Sequence, residues 1–254
     1  MPARRRTVLA AATLIVLAAA CGDEDAASPP GNVTVFAAAS LTAVFTEIGD
    51  AFTAANPDTG VTFNFAASSE LVAQINEGGP ADVFASADQS NMSKLIDAGN
   101  NGSDPVVFAT NSLEIIVEPG NPEPITGVAD LANDDLIVVI CAAEVPCGKY
   151  AQQIFDAAGV AVSPDSLEEN VKAVVTKVTA GEADAGLVYT TDVIAAGDRA
   201  EGVQIPADVN VRAEYPIAVT RDPPNAEAGP AFIDFVLGEQ GHKILDSYGF
   251  LPPD

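Results

Sequence analysis

The chain has 254 residues, 48% of them apolar and 19% charged, with no Trp, one His and three Cys. A chain of this size and apolar content can bury about three quarters of its unfolded surface, which excludes a disordered polymer, a collagen-like repeat and a small disulfide-stapled scaffold. Its 36 acidic and 11 basic residues give a formal net charge of −25, which repels nucleic-acid phosphates and anionic lipid and argues against both as partners.

At the N-terminus, Arg4, Arg5 and Arg6 precede an apolar run over 8–20. That run is too short to cross a bilayer stably and follows the pattern of a secretory signal, so residues 1–20 are set apart from the fold. Leu17-Ala18-Ala19-Ala20-Cys21 resembles the lipobox of bacterial lipoproteins, with Ala18 where Leu is usual. Acylation would make Cys21 the mature N-terminus; plain cleavage after Ala20 is the alternative. Losing 1–20 removes three arginines and no acid, which lowers the formal charge to −28. Residues 21–31 are acidic, polar and proline-containing, the composition of a flexible tether. No later apolar run is long enough to span a membrane.

A short buried strand is expected over 33–37, followed by a helix over 41–55 whose Leu41, Val44, Phe45, Ile48 and Phe52 share one face. A strand over 61–65, a helix over 70–76, a strand over 83–85 and a helix over 92–98 continue the alternation. Strands near 113–117 and 136–140 follow, then helices over 148–158 and 171–180 and strands over 185–189 and 217–219. Helices over 228–237 and 240–247 end the chain. Alternation of this kind predicts mainly parallel sheets covered by helices on both faces, and so many units suit two α/β lobes.

Open α/β sheets bind ligands at the carboxyl ends of their strands. There, Ser40 follows Ala37-Ala38-Ala39, Ser68 follows Phe65-Ala66-Ala67, and Cys147-Gly148 and Asn170-Val171 open two later helices. Helix beginnings carry backbone N–H groups without intrahelical acceptors and a partial positive dipole, so they attract anions without a cationic side chain. A serine in such a place is, taken alone, most simply a helix cap.

Several segments occur in a telling order. They are 33–41 (VTVFAAASL), 65–71 (FAASSEL), 80–88 (PADVFASAD), 111–113 (NSL), 145–151 (VPCGKYA), 186–189 (GLVY), 214–219 (EYPIAV) and 248–250 (YGF). In this order they resemble the molybdate-binding proteins of bacterial ABC importers, over essentially the whole chain from Val33 to Phe250. The resemblance implies a two-lobed periplasmic-binding-protein-like fold of type II, with residues 32–109 and 220–254 in one lobe and 110–219 in the other. It implies that a tetrahedral oxyanion is held by hydroxyl and backbone contacts from Ser40 and Ser68, backbone N–H groups of Cys147 and Val171, and the phenol of Tyr189. Cys147 stands where the family usually has Ala, and Ala67 where a second Ser is common.

The implied function is extracytoplasmic capture of molybdate or tungstate, with no cofactor, by a monomer that closes on the ion. The monomer is expected to hand the ion to a membrane permease driven by a cytoplasmic ATPase. Molybdenum is then bound only as its oxyanion. A pocket of donors alone disfavours a protonated phosphate, whose hydrogen needs an acceptor; sulfate is left to be separated by size. A sulfate carrier is therefore the alternative within binding proteins. Cys141 and Cys147, six apart in an exported chain, are expected to form a disulfide, with two buried thiols as the alternative and no ligand set for a metal. Lys149 and Lys172 could raise the potential at the site or simply be solvated. The acidic stretches 130–135 and 165–169 are expected to be solvated surface. A serine hydrolase would need Ser40 or Ser68 near a base; His242 is the one histidine, and no G-x-S-x-G elbow occurs.

Overall fold

A computed structural model describes residues 31–253. The signal segment, Cys21 and the tether up to residue 30 lie outside the described residues. No helix among the described residues is long and apolar enough to cross a membrane.

The fold is α/β. In the first half, β1 (Val33–Ala38) is followed by a short 3-10 helix, Ala39–Leu41, and by α1 (Thr42–Ala55). Then come β2 (Val61–Ala66), α2 (Ser68–Asn76), β3 (Val83–Ala85) and α3 (Gln89–Asp97). The long β4 (Val106–Val117) leads into β5 (Val138–Cys141), α4 (Pro146–Ala158), β6 (Ser166–Glu168), α5 (Val171–Thr179), β7 (Ala185–Tyr189), α6 (Thr190–Ala196) and β8 (Glu201–Gln204). The second long strand, β9 (Arg212–Val219), returns the chain to the first half, where α7 (Ala228–Leu237) and α8 (Glu239–Ser247) complete it.

Strand order is β2-β1-β3-β9-β4-β7-β5-β6, with β8 also paired to β4. Two parallel cores, β2-β1-β3 and β7-β5-β6, supply the parallel sheets expected from the alternation. Antiparallel β4 and β9 join them. Along β4 the partner changes: Val106 to Ser112 register with β9, and Leu113 to Val117 with β7 on one edge. Leu113 lies opposite Tyr189. On β9, Ile217 to Val219 also register with β3.

The strand period of two sorts side chains onto opposite faces. Val35 and Ala37 of β1, Val83 and Ala85 of β3, and Ile217 and Val219 of β9 join the main core with α1 and α7. Their alternates Phe36, Phe84 and Ala218 pack in a second cluster with Leu71, Ile75, Met92 and Leu95 of α2 and α3. The first sheet is thus buried on both sides. On α1, Val44, Phe45, Ile48 and Phe52 form the buried stripe. Phe45 sits among Phe63, Phe108 and Phe232 at centroid distances of 6.3, 5.6 and 6.0 Å.

Sequence periodicity missed both connecting strands in part, and for identifiable reasons. The first stretch of β4 carries buried Thr110 and Asn111. These are tolerated because the Thr110 backbone exchanges hydrogen bonds with Leu251, N to O at 2.8 and 3.0 Å. The first part of β9 contains Pro216, which faces Val107 beside a register shift that a residue without an N–H can occupy. Short edge strands β6 and β8 and helix α6 were also missed; α6 starts directly from Tyr189 without a breaker.

Phe45→Ala should cost about 3–5 kcal/mol through lost transfer free energy and a residual cavity, read as a lowered midpoint in urea unfolding with an unchanged slope.

Candidate functional site

Ser40, Ser68, Cys147, Val171 and Tyr189 all line one small, nearly closed cavity of about 10 Å³ between the two halves. Each lies just past, or at, the carboxyl end of a strand: β1, β2, β5, β6 and β7 respectively. The remaining lining residues include Ala38, Ala39, Ala67, Ala87 and Asn170, and no Lys, Arg, Asp or Glu is among them.

Three helix beginnings at this cavity lack a capping side chain. Ala38 precedes the 3-10 helix, Ala67 precedes α2 and Val145 precedes α4, and none can accept from the first turn. Ser68 is therefore the first helical residue rather than a cap. Its hydroxyl is free of the duty that the commonest serine at a helix start performs. Pro146 opens α4 without an N–H of its own, which leaves Cys147 to present the first amide. Helix α5 differs, since Asn170 Oδ1 accepts from the Ala173 amide at 3.1 Å.

The start of α4 is fixed covalently and sterically. Cys141 and Cys147 form a disulfide with Cα atoms 5.7 Å apart, tying the end of β5 to the helix's first turn. Gly148 packs so tightly that a Cβ there would lie 2.1 Å from the Ala142 carbonyl oxygen. No larger residue fits without moving the helix start.

The three hydroxyls have their hydrogen-bonding roles biased by their surroundings. Ser68 Oγ accepts from the Ala87 amide at 3.0 Å, and Ser40 Oγ accepts from the Tyr215 phenol at 3.2 Å. Each serine proton remains to be donated. Tyr189 is 1% exposed, and its phenol oxygen is buried without a hydrogen-bond partner. Burial pushes its ionisation far above the ordinary phenol range, with Tyr215, Tyr150, Asp88 and Asp192 adding in the same direction. It stays neutral, a donor without an acceptor.

The two lysines do not reach the cavity lining. Lys172 Nζ lies 2.6 Å from Asp192 Oδ1, and Lys149 Nζ lies 4.0 Å from Asp88. Asp192 Oδ2 also accepts from the Tyr189 amide at 3.2 Å, which anchors the backbone of the phenol's own residue. Burial raises the Asp192 carboxyl, and this outweighs the opposing effects of Lys172 and the Tyr189 amide. The acidic stretches are only partly solvated surface: Asp165 accepts from the Val138 amide, Asp130 from Thr126 and Gly127, and Glu168 pairs with Lys177 at 2.7 Å. Beside the cavity, a second hollow shares Ala67 and Val145 and is lined by Glu70, Glu144 and Glu169.

Contacts also cross between the halves. The Tyr150 phenol of α4 donates to the Ala87 carbonyl at 3.3 Å, and Lys149 of α4 pairs with Asp88. His242, by contrast, lines a separate hollow with Phe108, Leu245 and Phe250 and does not border the serine cavity. Sequence reasoning missed Tyr215, Tyr150 and Asp192 as parts of the site. Only Asp192 carried a local signal, an acidic residue in the first turn of α6 directly after Tyr189.

Lys172→Met leaves the Asp192 carboxylate buried without its counter-charge. The loss should reach about 3 kcal/mol, below the upper range for a wholly buried pair because Lys172 is partly exposed. The folded-state ionisation of Asp192, already raised, would rise further. The deficit against the parent shrinks as pH falls through the variant's raised carboxyl value and is gone below the parent's own folded value, as a pH series of thermal melts would record.

Residues 33–251 match the family model of the bacterial extracellular solute-binding proteins. The molybdate-binding protein ModA of Mycobacterium tuberculosis is 41% identical over 97% of this chain and 97% of its own. Among solved structures, the sulfate-binding protein SubI of M. tuberculosis superposes with a TM-score of 0.80 at 19% identity, covering 88% of each chain. The periplasmic molybdate-binding protein of Azotobacter vinelandii superposes with a TM-score of 0.75 at 19% identity, covering 87% of this chain and all of that one. At that identity these two speak for the fold. Together with a match over nearly its whole length to a mycobacterial relative, they place this chain in the family of bacterial extracellular solute-binding proteins, which are binding proteins of importers rather than enzymes.

Proposed function

We propose that the chain binds molybdate, and tungstate as well, outside the cytoplasm and delivers it to a membrane permease driven by an ATPase. The observation that carries this reading is the cavity's donor set: three buried hydroxyls and uncapped helix beginnings with no charged side chain in the lining. Ser40 and Ser68 donate from one side, and the Cys147 and Val171 amides and the Tyr189 phenol from the other. Each charge-assisted hydrogen bond is worth about 1.5–3 kcal/mol, so five or more offset much of the desolvation of a dianion.

Residues 32–109 with 220–254 form one lobe of this proposal and 110–219 the other, both boundaries falling on or beside the connecting strands. The crossing sits where pairing partners change, at Ser112 and Leu113 of β4 and near Arg212 of β9. Bending there separates the two donor sets, and closing reunites them around the ion. Acylated Cys21 would hold a monomer on the outer face of the membrane, which mass measurement of the mature N-terminus tests. A sulfate carrier is the second reading, favoured by the likeness to SubI in fold, whereas the 41% identity to a molybdate-binding protein favours the first.

Melting temperatures with molybdate, tungstate, sulfate and phosphate decide between them, because a ligand at a hundred times its Kd adds about 2.7 kcal/mol to stability. Molybdate and tungstate should each raise the melting point; a rise with sulfate alone would transfer the assignment to sulfate. Ser40→Ala and Tyr189→Phe should each weaken molybdate binding by about 1–3 kcal/mol for one lost donor, measured by calorimetry. Association should quicken as ionic strength rises from low to physiological, since salt screens Glu70, Glu144 and Glu169 from an approaching anion. Stopped-flow tyrosine emission, unobscured in a chain without Trp, would follow it.

A further inference from the structure

We propose that Tyr215 is a positioning residue that fixes Ser40 as a hydrogen-bond donor, acting through a relay that begins on the crossing strand. The inference rests on the oxyanion reading of the cavity. Tyr215 is wholly buried, on β9, and its phenol donates to Ser40 Oγ at 3.2 Å. Its rings of contact hold it still: Phe108, Tyr189 and Phe250 lie edge-on at centroid distances of 6.2, 5.8 and 5.4 Å.

Asn111 of β4 lies near the same phenol, where it opposes the upward shift that burial gives the phenol's ionisation. Asn111 is itself pinned, donating through Nδ2 to Thr191 Oγ1 at 2.9 Å and accepting through Oδ1 from the Ser112 amide at 2.9 Å. The order of donors is then the Tyr215 phenol to Ser40, and Ser40 to whatever occupies the cavity. Aligned hydrogen bonds of this kind strengthen one another in a low-dielectric interior. Because Tyr215 takes an acceptor site of Ser40, that hydroxyl is poorly placed to accept from a protonated ligand. The same logic applies at Ser68, where the Ala87 amide is the fixed donor. Tyr215 does not line the cavity; its hydroxyl reaches the cavity through Ser40, while its ring packs on Tyr189.

A double-mutant cycle tests this. Ser40→Ala, Tyr215→Phe and the double variant are titrated with molybdate by calorimetry, and each ligand-free protein is melted. Each single variant should raise Kd about tenfold, and the double variant should bind no worse than Ser40→Ala alone. Parental affinity in Tyr215→Phe, or a Tyr215→Phe factor that multiplies fully with that of Ser40→Ala, overturns the relay. Should Tyr215→Phe unfold before titration, the cycle is run with Tyr215→Met, which fills the buried site without a hydroxyl, and full additivity with Ser40→Ala likewise overturns it. Failure of the parent to bind molybdate, or parental affinity in Ser40→Ala, would instead defeat the oxyanion reading, so the two failures are told apart.

Discussion

Backbone amides left open at helix beginnings are the constraint around which the rest of this structure is arranged. An amide in the first turn of a helix has no acceptor within the helix, and a side-chain cap would normally supply one. Ala38, Ala67 and Val145 cannot. Their small or branched apolar side chains keep the dipole ends bare, at a cost that each helix recovers by packing. Helix α2 does so through Leu71, Val72 and Ile75, and α4 through Ile154, Phe155 and Ala151. Charge is kept out of the lining in the same way, because Lys149 and Lys172 are turned toward carboxylates. What remains is a field of fixed neutral dipoles. A long-range negative potential from the acidic surface opposes an incoming anion, yet it is screened beyond about 8 Å at physiological salt. Contacts within the cavity are not screened.

Position follows from topology. Parallel strands bring their carboxyl ends to one edge, and two parallel cores facing each other turn two such edges into opposing walls. The antiparallel strands β4 and β9 hold those walls in register. This explains why Tyr189 is where it is. It ends β7 opposite Leu113, at the point where β4 exchanges one neighbour for another, and α6 starts immediately after it. The Asp192 carboxylate then holds its amide, and Thr190 and Thr191 bond to Ser112 and Asn111 of β4. The phenol therefore stands at the end of a core strand paired to the strand that links the halves, and not on a loop.

Much of this was legible in the sequence because its signals are local. The stripe Val44, Phe45, Ile48, Phe52 announces α1, and the alternation of strand and helix announces parallel cores. Ser40 and Ser68 announce themselves as small polar residues directly after apolar strands. The amides of Cys147 and Val171 and the phenol of Tyr189 could be placed only through resemblance, since an amide has no side-chain signature. Tyr215 could not be found at all: its partner Ser40 lies 175 residues away, and an aromatic on a strand reads as core. The first part of β4 was hidden by buried Thr110 and Asn111, whose polarity is satisfied by Leu251 and by Thr191, groups far along the chain.

Those same buried polar groups bear on the bending proposed for the crossing strands. Thr110 and Asn111 carry bonds that are costly to leave unmade, and they bind the crossing to the C-terminal segment and to α6. Arg212 adds a bond to the Pro252 carbonyl at 3.1 Å. In the proposed closure, bending between Ser112 and Leu113 would change the distance between the serine wall and the tyrosine wall while sparing the Thr110 and Leu251 pairing, with the strain falling on the Asn111 and Ser112 bonds to Thr191 and Thr190. The Tyr150 bond to the Ala87 carbonyl and the Lys149–Asp88 pair join the two walls in this arrangement. An occupant that accepts from both walls can therefore decide the balance between open and closed, since an equilibrium moves only as far as the difference in affinity between its two states.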